Sequence, residues 1–253
     1  MPQQLLDFTS QVVIVTGGGS GIGQATAMAF ARQGAKVVVA CRSNADETLR
    51  RIKEARGEAI FVRTDVSVAA DVRKLVKTTV DTFGRLDVAF NNAGVKATTA
   101  ALIDQTEEDF DRDIAVDLKG VFLCLKYEIP EMLKAGRGSI INCGSVVSFV
   151  ADPGMAPYVA AKHGVAGLTK AAALEYARQN IRINLIGPAF TETTMTKPWL
   201  ADPKMTELVK SFNAANRIAS PEEIAGIVLF LASPMASFMT GACIPVDAGQ
   251  TAH

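Results

Sequence analysis

Tyr158 and Lys162 stand four residues apart in PYVAAKHG, residues 157–164, just ahead of the alanine-rich run VAGLTKAAALEYARQN. On a helix that spacing stacks both side chains on one face. An ammonium beside a phenol favours the phenolate and lowers a pKa that is about 10 in water. Such a pair can trade protons near neutral pH. An isolated Tyr-x-x-x-Lys also occurs as a surface tyrosine over a lysine stem, so the rest of the chain must discriminate. Upstream, Ser145 ends the run SIINCGS, where a hydroxyl on its own reads as a strand end or cap.

A second stretch with chemical potential is TGGGSGIG, residues 16–23, between an apolar run and a helical pattern. Gly17, Gly21 and Gly23 let the backbone turn tightly and approach a ligand. Free N–H groups at the helix start attract a pyrophosphate. A plain tight turn is the alternative, but the flanking elements are those the phosphate-binding mechanism needs. The Gly-x-x-x-Gly-x-Gly spacing differs from the common Gly-x-G-x-x-Gly fingerprint.

These groups must be placed by the elements around them. Short apolar runs recur as VVIV at 12, KVVVA at 36, AIFV at 59, LDVAF at 86, SIIN at 139, IRINLI at 181 and ACIPV at 242. They read as strands buried on both faces, because parallel strands covered by helices lose polar alternation. Helical patterns lie between most of them, among them PEEIAGIVLFLAS, opened by Ser220 as a cap with Pro221 at the first helical position. The order predicts an α/β fold with a doubly wound parallel sheet of about seven strands, helices on both faces and ligands at the strands' carboxyl rim. The reading is one domain over 1–253, with a substrate lid around 187–215. Residues 187–205, GPAFTETTMTKPWLADPKM, form its long irregular part.

Composition narrows the partners. Acidic and basic residues are equal in number, 26 of each, so no field attracts nucleic acid or an anionic membrane. No leader pattern or membrane-length apolar run is read, and a cytoplasmic location is the default expectation. Cys41, Cys124, Cys143 and Cys243 are scattered as reduced thiols would be, and with only two histidines no metal centre is expected.

The altered glycine spacing, NNAG at 91–94, Ser145 and the Tyr158/Lys162 pair together resemble the short-chain dehydrogenase/reductase family, over nearly the whole chain. The resemblance implies a Rossmann-type oxidoreductase that moves hydride between nicotinamide and a ketone or secondary alcohol. Tyr158 would then be the acid/base, Ser145 would hold the substrate oxygen, and Lys162 would tune Tyr158 and bind the nicotinamide ribose. Ser148 is read as structural. The family usually has asparagine where this chain has Asp117, in AVDLKG. A carboxylate there could pair with Lys162, hold it in place and alter the pH profile.

The resemblance also implies cofactor contacts at Gly17, Ser20, Gly21, Ile22 and Gly23, at Asp65 and Val66, and at Asn92, Ala93 and Gly94. It adds Pro188, the backbone at Thr191 and the Thr193 hydroxyl, with Ala189 replacing a usual glycine. Asp65 could instead cap the next helix, and 91–94 could be a simple turn. NAD-preferring enzymes commonly carry an acidic residue at the end of the second strand, where this chain has Cys41 followed by Arg42. A guanidinium suits a 2′-phosphate, which favours NADP; NAD stays possible, since Ser20 lies where many NADP-preferring relatives have a second basic residue.

Apolar and small residues in KATTA at 96, VVSFVADPGM at 146 and around Met195 and Trp199 favour a small neutral ketone or alcohol. Lys96 is read as a solvated loop lysine. The alternatives are an NAD-dependent sugar or cyclic-diol dehydrogenase, a 3-oxoacyl-carrier reductase, disfavoured by Pro130 and Leu174 in place of basic residues, and a non-catalytic NADP-binding sensor. Residues 100–133 are read as one helix which, with that of Tyr158, has apolar positions on more than one face; family members are usually tetramers built there, so a homotetramer is expected.

Overall fold

The computed structural model describes residues 6–252. Each apolar run forms a strand: β1 (Val12–Thr16), β2 (Lys36–Cys41), β3 (Glu58–Arg63), β4 (Val88–Asn91), β5 (Gly138–Cys143), β6 (Ile181–Pro188) and β7 (Cys243–Val246). All pair in parallel in the order β3-β2-β1-β4-β5-β6-β7. The winding reverses between β1 and β4, which opens a crevice at their carboxyl ends.

Helices α1 (Gly21–Arg32), α2 (Asp46–Glu54) and α3 (Ala69–Phe83) link the first four strands. Between β4 and β5 lie α4 (Glu107–Asp113) and α5 (Gly120–Ala135), and α6 (Ala156–Tyr176) links β5 to β6. Three more, α7 (Lys197–Leu200), α8 (Pro203–Ser211) and α9 (Pro221–Ala232), precede β7. The strand pleat divides the core. Val13 and Val15 face a cluster with Phe30 of α1 and Val228 of α9, whereas Ile14 faces the opposite cluster with Leu75 of α3, Leu125 of α5 and Val165 of α6. The central strands β1, β2, β4, β5 and β6 are therefore buried on both sides and lose polar alternation, whereas the edge strands β3 and β7 are only half-buried, so the expectation of double burial does not extend to them. Ser220 caps α9 reciprocally with Glu223, and Pro221 sits in its first turn.

Two expectations need correction. Residues 100–133 are not one uniform helix: a 3-10 turn at Leu102–Asp104 precedes α4, and a π-helical segment, Ile114–Lys119, joins α4 to α5. Nor is 187–205 wholly irregular, because α7 and the start of α8 fold within it. Asp202 caps α8 by accepting from Lys204 N at 2.9 Å, and prolines stand in the first turns of both helices. Local capping overrode the polar composition. Among the described residues, no helix is long and apolar enough to cross a membrane.

Candidate active site

The glycine turn follows β1 directly. Gly17 and Gly21 take left-handed φ values of 68° and 53°, which glycine adopts without steric cost. At Gly23 a Cβ would overlap the Gly17 carbonyl oxygen, so the close approach of the two segments requires glycine. Ser20 is the N-cap of α1 and spends no side-chain bond on it, and the first turn carries no acidic residue. Ile22 packs at the edge of the core beneath the turn. Open N–H groups without competing carboxylates suit a dinucleotide pyrophosphate.

β4 ends beside this turn. Thr16 Oγ1 accepts from the backbone N–H of Asn92 and Ala93 at 2.9 and 3.1 Å, and Asn92 Nδ2 donates to the Thr16 carbonyl at 3.0 Å. NNAG is thus a fixed seam between β1 and β4, with Gly94 pressed towards the Asp117 carboxylate. On the far side, Thr193 stands against Gly21, whose Cβ would meet Thr193 Cγ2 at 3.0 Å. Thr191 Oγ1 donates to the Ala189 carbonyl at 2.9 Å, beside Pro188 at the end of β6. Ala189 has no positive φ, so the missing glycine imposes no strain.

At the β2 and β3 ends, Arg42, Arg63, Asp65, Asp71 and Lys74 line a cavity of about 380 Å³. Arg63 lies in register with Cys41 and donates from Nε to the Arg42 carbonyl at 3.1 Å. The Asp65 carboxylate accepts from Ser67 N and Oγ at 2.9 and 2.6 Å. It closes the turn before α3 instead of capping that helix, whose N-cap is Val68. Burial raises the Asp65 carboxyl, but the Ser67 bonds and the Arg42 charge outweigh it and leave it below its ordinary value. Val66 is buried against Gly120. The sequence reading missed Arg63 and Lys74; the strand-end position of Arg63 was the available signal.

Tyr158 and Lys162 lie on the first turns of α6, with Lys162 Nζ 5.4 Å from the Tyr158 ring centroid. Lys162 is 4% exposed and Asp117 1%. Nζ sits 2.9 Å from Asp117 Oδ1 and donates to the Cys143 carbonyl at 3.1 Å. Asp117 Oδ2 accepts from Val95 N at 3.2 Å. Burial opposes the Lys162 charge, but Asp117, Tyr158 and Cys143 together hold the ammonium well above its ordinary pKa.

Tyr158 differs from expectation. Burial raises the phenol, Lys162 pulls it down, and the Asp117 and Cys143 charges push it up; the net direction is upward despite help from the Ser145 hydroxyl. The spacing alone predicts a lowered phenol; burial, the largest effect, reverses that direction, and Asp117 shares the lysine's charge as its position in AVDLKG predicts. Ser145 does not close the strand, since β5 ends at Cys143. It is the N-cap of a 3-10 turn at Val146–Ser148, where its Oγ accepts from Val147 N at 3.4 Å and Ser148 Oγ accepts from Ser145 N at 3.2 Å. Ser148 is structural in that sense.

The cleft walls are tied together. Gln105 Nε2 donates to the Ala100 and Gly154 carbonyls at 3.2 and 2.7 Å, joining the loops after β4 and before α6. Trp199 of α7 stacks at 5.4 Å on Phe190 and carries Lys96 Nζ 4.9 Å over its ring. Lys96 is exposed, as expected of a loop lysine, but it is seated on an aromatic face.

The chain as a whole is similar to known proteins. A family model described as enoyl-(acyl carrier protein) reductase matches residues 17–251. The chain is 40% identical over 246 residues to a cyclohexanol dehydrogenase of Acinetobacter sp. (strain SE19), covering 96% of each chain. The chain belongs to the short-chain dehydrogenase/reductase family. Among solved family structures, levodione reductase superposes with a TM-score of 0.94 at 37% identity, covering 97% of this chain and 99% of the other. A putative 2-deoxy-D-gluconate 3-dehydrogenase from Agrobacterium tumefaciens, solved with bound NADP, gives 0.92 at 34% identity, with 99% and 100% covered. As a family member the chain is an NAD(P)-dependent oxidoreductase acting on alcohols and ketones.

Proposed function

We propose that this oxidoreductase prefers NADP and acts on a small, neutral, ring-sized ketone or secondary alcohol, with Tyr158 as its acid/base. The observation that carries the reading is Lys162, fixed by Asp117 and the Cys143 carbonyl beneath the Tyr158 ring, on the same rim as the glycine turn.

When bound, the nicotinamide supplies or accepts the hydride. The residues Gly17 to Gly23, Asn92 to Gly94 and Pro188 to Thr193 would hold it. In the reducing direction the Tyr158 hydroxyl gives its proton to the substrate oxygen as that oxygen gains charge, while the Ser145 hydroxyl holds the same oxygen. Lys162 stays protonated and steadies the phenolate. Oxidation reverses these transfers.

The NADP preference rests on Arg42, Arg63 and Lys74 around one cavity, with Cys41 where an acidic residue would repel a 2′-phosphate. The ring-sized neutral substrate is supported by the Phe190–Trp199 aromatic pair and by the substrates named for the cyclohexanol and levodione relatives. We also infer a homotetramer. Leu102, Ile103, Phe110 and Phe122 are exposed along the α4–α5 side and Leu174, Met235 and Phe238 elsewhere, apolar surface that a partner subunit would cover. Light scattering giving only a species of one chain's mass would overturn that assembly. Four free thiols fit a cytoplasmic setting.

The test is a panel of cyclic and linear ketones and alcohols, followed by absorbance with NADPH, NADH and both oxidised forms. Turnover of cyclic ketones with NADPH is expected. NADPH binding without turnover of any compound would favour the sensor reading, and a large kcat/KM advantage for NADH would overturn the cofactor assignment.

A further inference from the structure

Glu128 of α5 is fully buried, and no cation among the described residues comes within 4.0 Å of it. Its Oε2 accepts from Asn91 Nδ2 at 3.1 Å, and the same amide nitrogen donates to Asn142 Oδ1 at 3.1 Å. Asn142 Nδ2 then donates to Thr169 Oγ1 at 2.9 Å, and Thr169 Oγ1 donates to the Val165 carbonyl at 2.8 Å. Two acceptors in this group, Glu128 Oε1 and Asn91 Oδ1, are buried without a partner. The cluster is short of donors. A carboxylate would add a desolvated charge to that deficit, whereas a proton on Glu128 supplies the missing donor.

The chain of bonds crosses the elements that build the active site. Asn91 is the last residue of β4, directly before Asn92 to Gly94; Asn142 directly precedes Cys143, whose carbonyl holds Lys162. Thr169 lies on α6 two turns beyond Lys162. We propose that Glu128 is a neutral carboxylic acid heading a buried hydrogen-bonded chain, Glu128–Asn91–Asn142–Thr169, that positions the Lys162 helix against the ends of β4 and β5. Glu128 is then a positioning residue for the reaction proposed above, and the inference rests on that reading only for its catalytic part.

Around Glu128, β4 presents the neutral Asn91 amide, and on α5 itself the titratable neighbour is Cys124, a thiol that burial, helped by Glu128, pushes up. Burial raises the Glu128 carboxyl to about 7 against the opposing Asn91 bond. An acid raised on folding stabilises fully below its unfolded value, near 4.5, and that contribution is lost as pH rises through about 7.

The test compares the full chain with Glu128→Gln by thermal unfolding from pH 5 to pH 8.5. Glutamine is neutral at every pH. The two Tm curves should lie close at pH 5, with the parent roughly 5–10 °C below the variant at pH 8.5. Infrared difference spectra at pH 5.5 should show a protonated-carboxyl band that Glu128→Gln removes. Parallel Tm curves, or no such band, would overturn the neutral acid. For positioning, Thr169→Val breaks the far end without changing side-chain size. Its kcat should fall about fivefold with KM within twofold of the parent. A Thr169→Val enzyme with the parent kcat would overturn the positioning role. Unfolding and infrared readings need no turnover, so an inactive protein would count against the proposed reaction and leave the Glu128 result standing.

Discussion

The Asp117 carboxylate stands 2.9 Å from the Lys162 ammonium, and both are almost wholly buried. The lysine that faces Tyr158 is therefore already half neutralised by its own chain. Burial raises the Tyr158 phenol, and the Asp117 charge raises it further. Removing that charge while keeping the shape should move the phenol down.

Asp117→Asn is accordingly expected to shift the acidic limb of kcat for alcohol oxidation, where the rate rises with pH, to lower pH. The direction follows because oxidation needs the phenolate and the variant ionises more readily. Steady-state rates from pH 6 to pH 11 measure it; superimposable profiles reject the coupling. Asp117→Ala should also lower stability by about 3 kcal/mol, since it strands a buried ammonium.

Tyr158→Phe removes the exchangeable proton and little volume. Turnover of every accepted compound should drop by roughly 10²–10⁴-fold. Fluorescence titration should find NADPH binding within a few fold of the parent, which separates loss of chemistry from loss of fold.

Arg42→Ala tests the cofactor reading. KM for NADPH should rise about tenfold or more, as for the loss of a charge-assisted hydrogen bond, while KM for NADH hardly moves. Equal effects on both would place Arg42 away from the 2′-phosphate.

Gly23→Ala puts a methyl against the Gly17 carbonyl. The turn must open, so NADPH affinity should fall by about 30-fold or more, with a stability loss of about 1–3 kcal/mol. Unchanged affinity by titration would mean that the turn does not cradle the cofactor.

The sheet was legible because its strands are short apolar runs between turn residues, and the central ones, buried on both faces, carry no polar alternation. Ser145, Tyr158 and Lys162 were legible for the same local reason, as fixed spacings at a strand end and on one helix. The Tyr158 shift was only partly legible: the Asp117–Lys162 pair was expected from the departure in AVDLKG, but the burial that raises the phenol most is encoded by no spacing. Glu128 was hidden too: a lone acid in YEIPEML, residues 127–133, reads as a solvated helix position until the strands behind it are in place. The helices in 197–211 were masked by threonines and prolines that suggest a loop but here serve as first-turn residues and bonds such as Thr196 Oγ1 to the Thr191 carbonyl at 2.7 Å.

The widened turn at Ile114–Lys119 works as a gear between two helices. An α-helix advances about 100° per residue, so a wider turn resets the phase of everything beyond it. On its near side Asp113 meets Arg112, within it Asp117 reaches Lys162, and past it Glu128 enters the core. Deleting a single residue there would convert the segment to ordinary α-helix and turn one of these carboxylates away from its partner. Length in this short stretch should therefore tolerate change far less than residue identity at its solvent-facing positions.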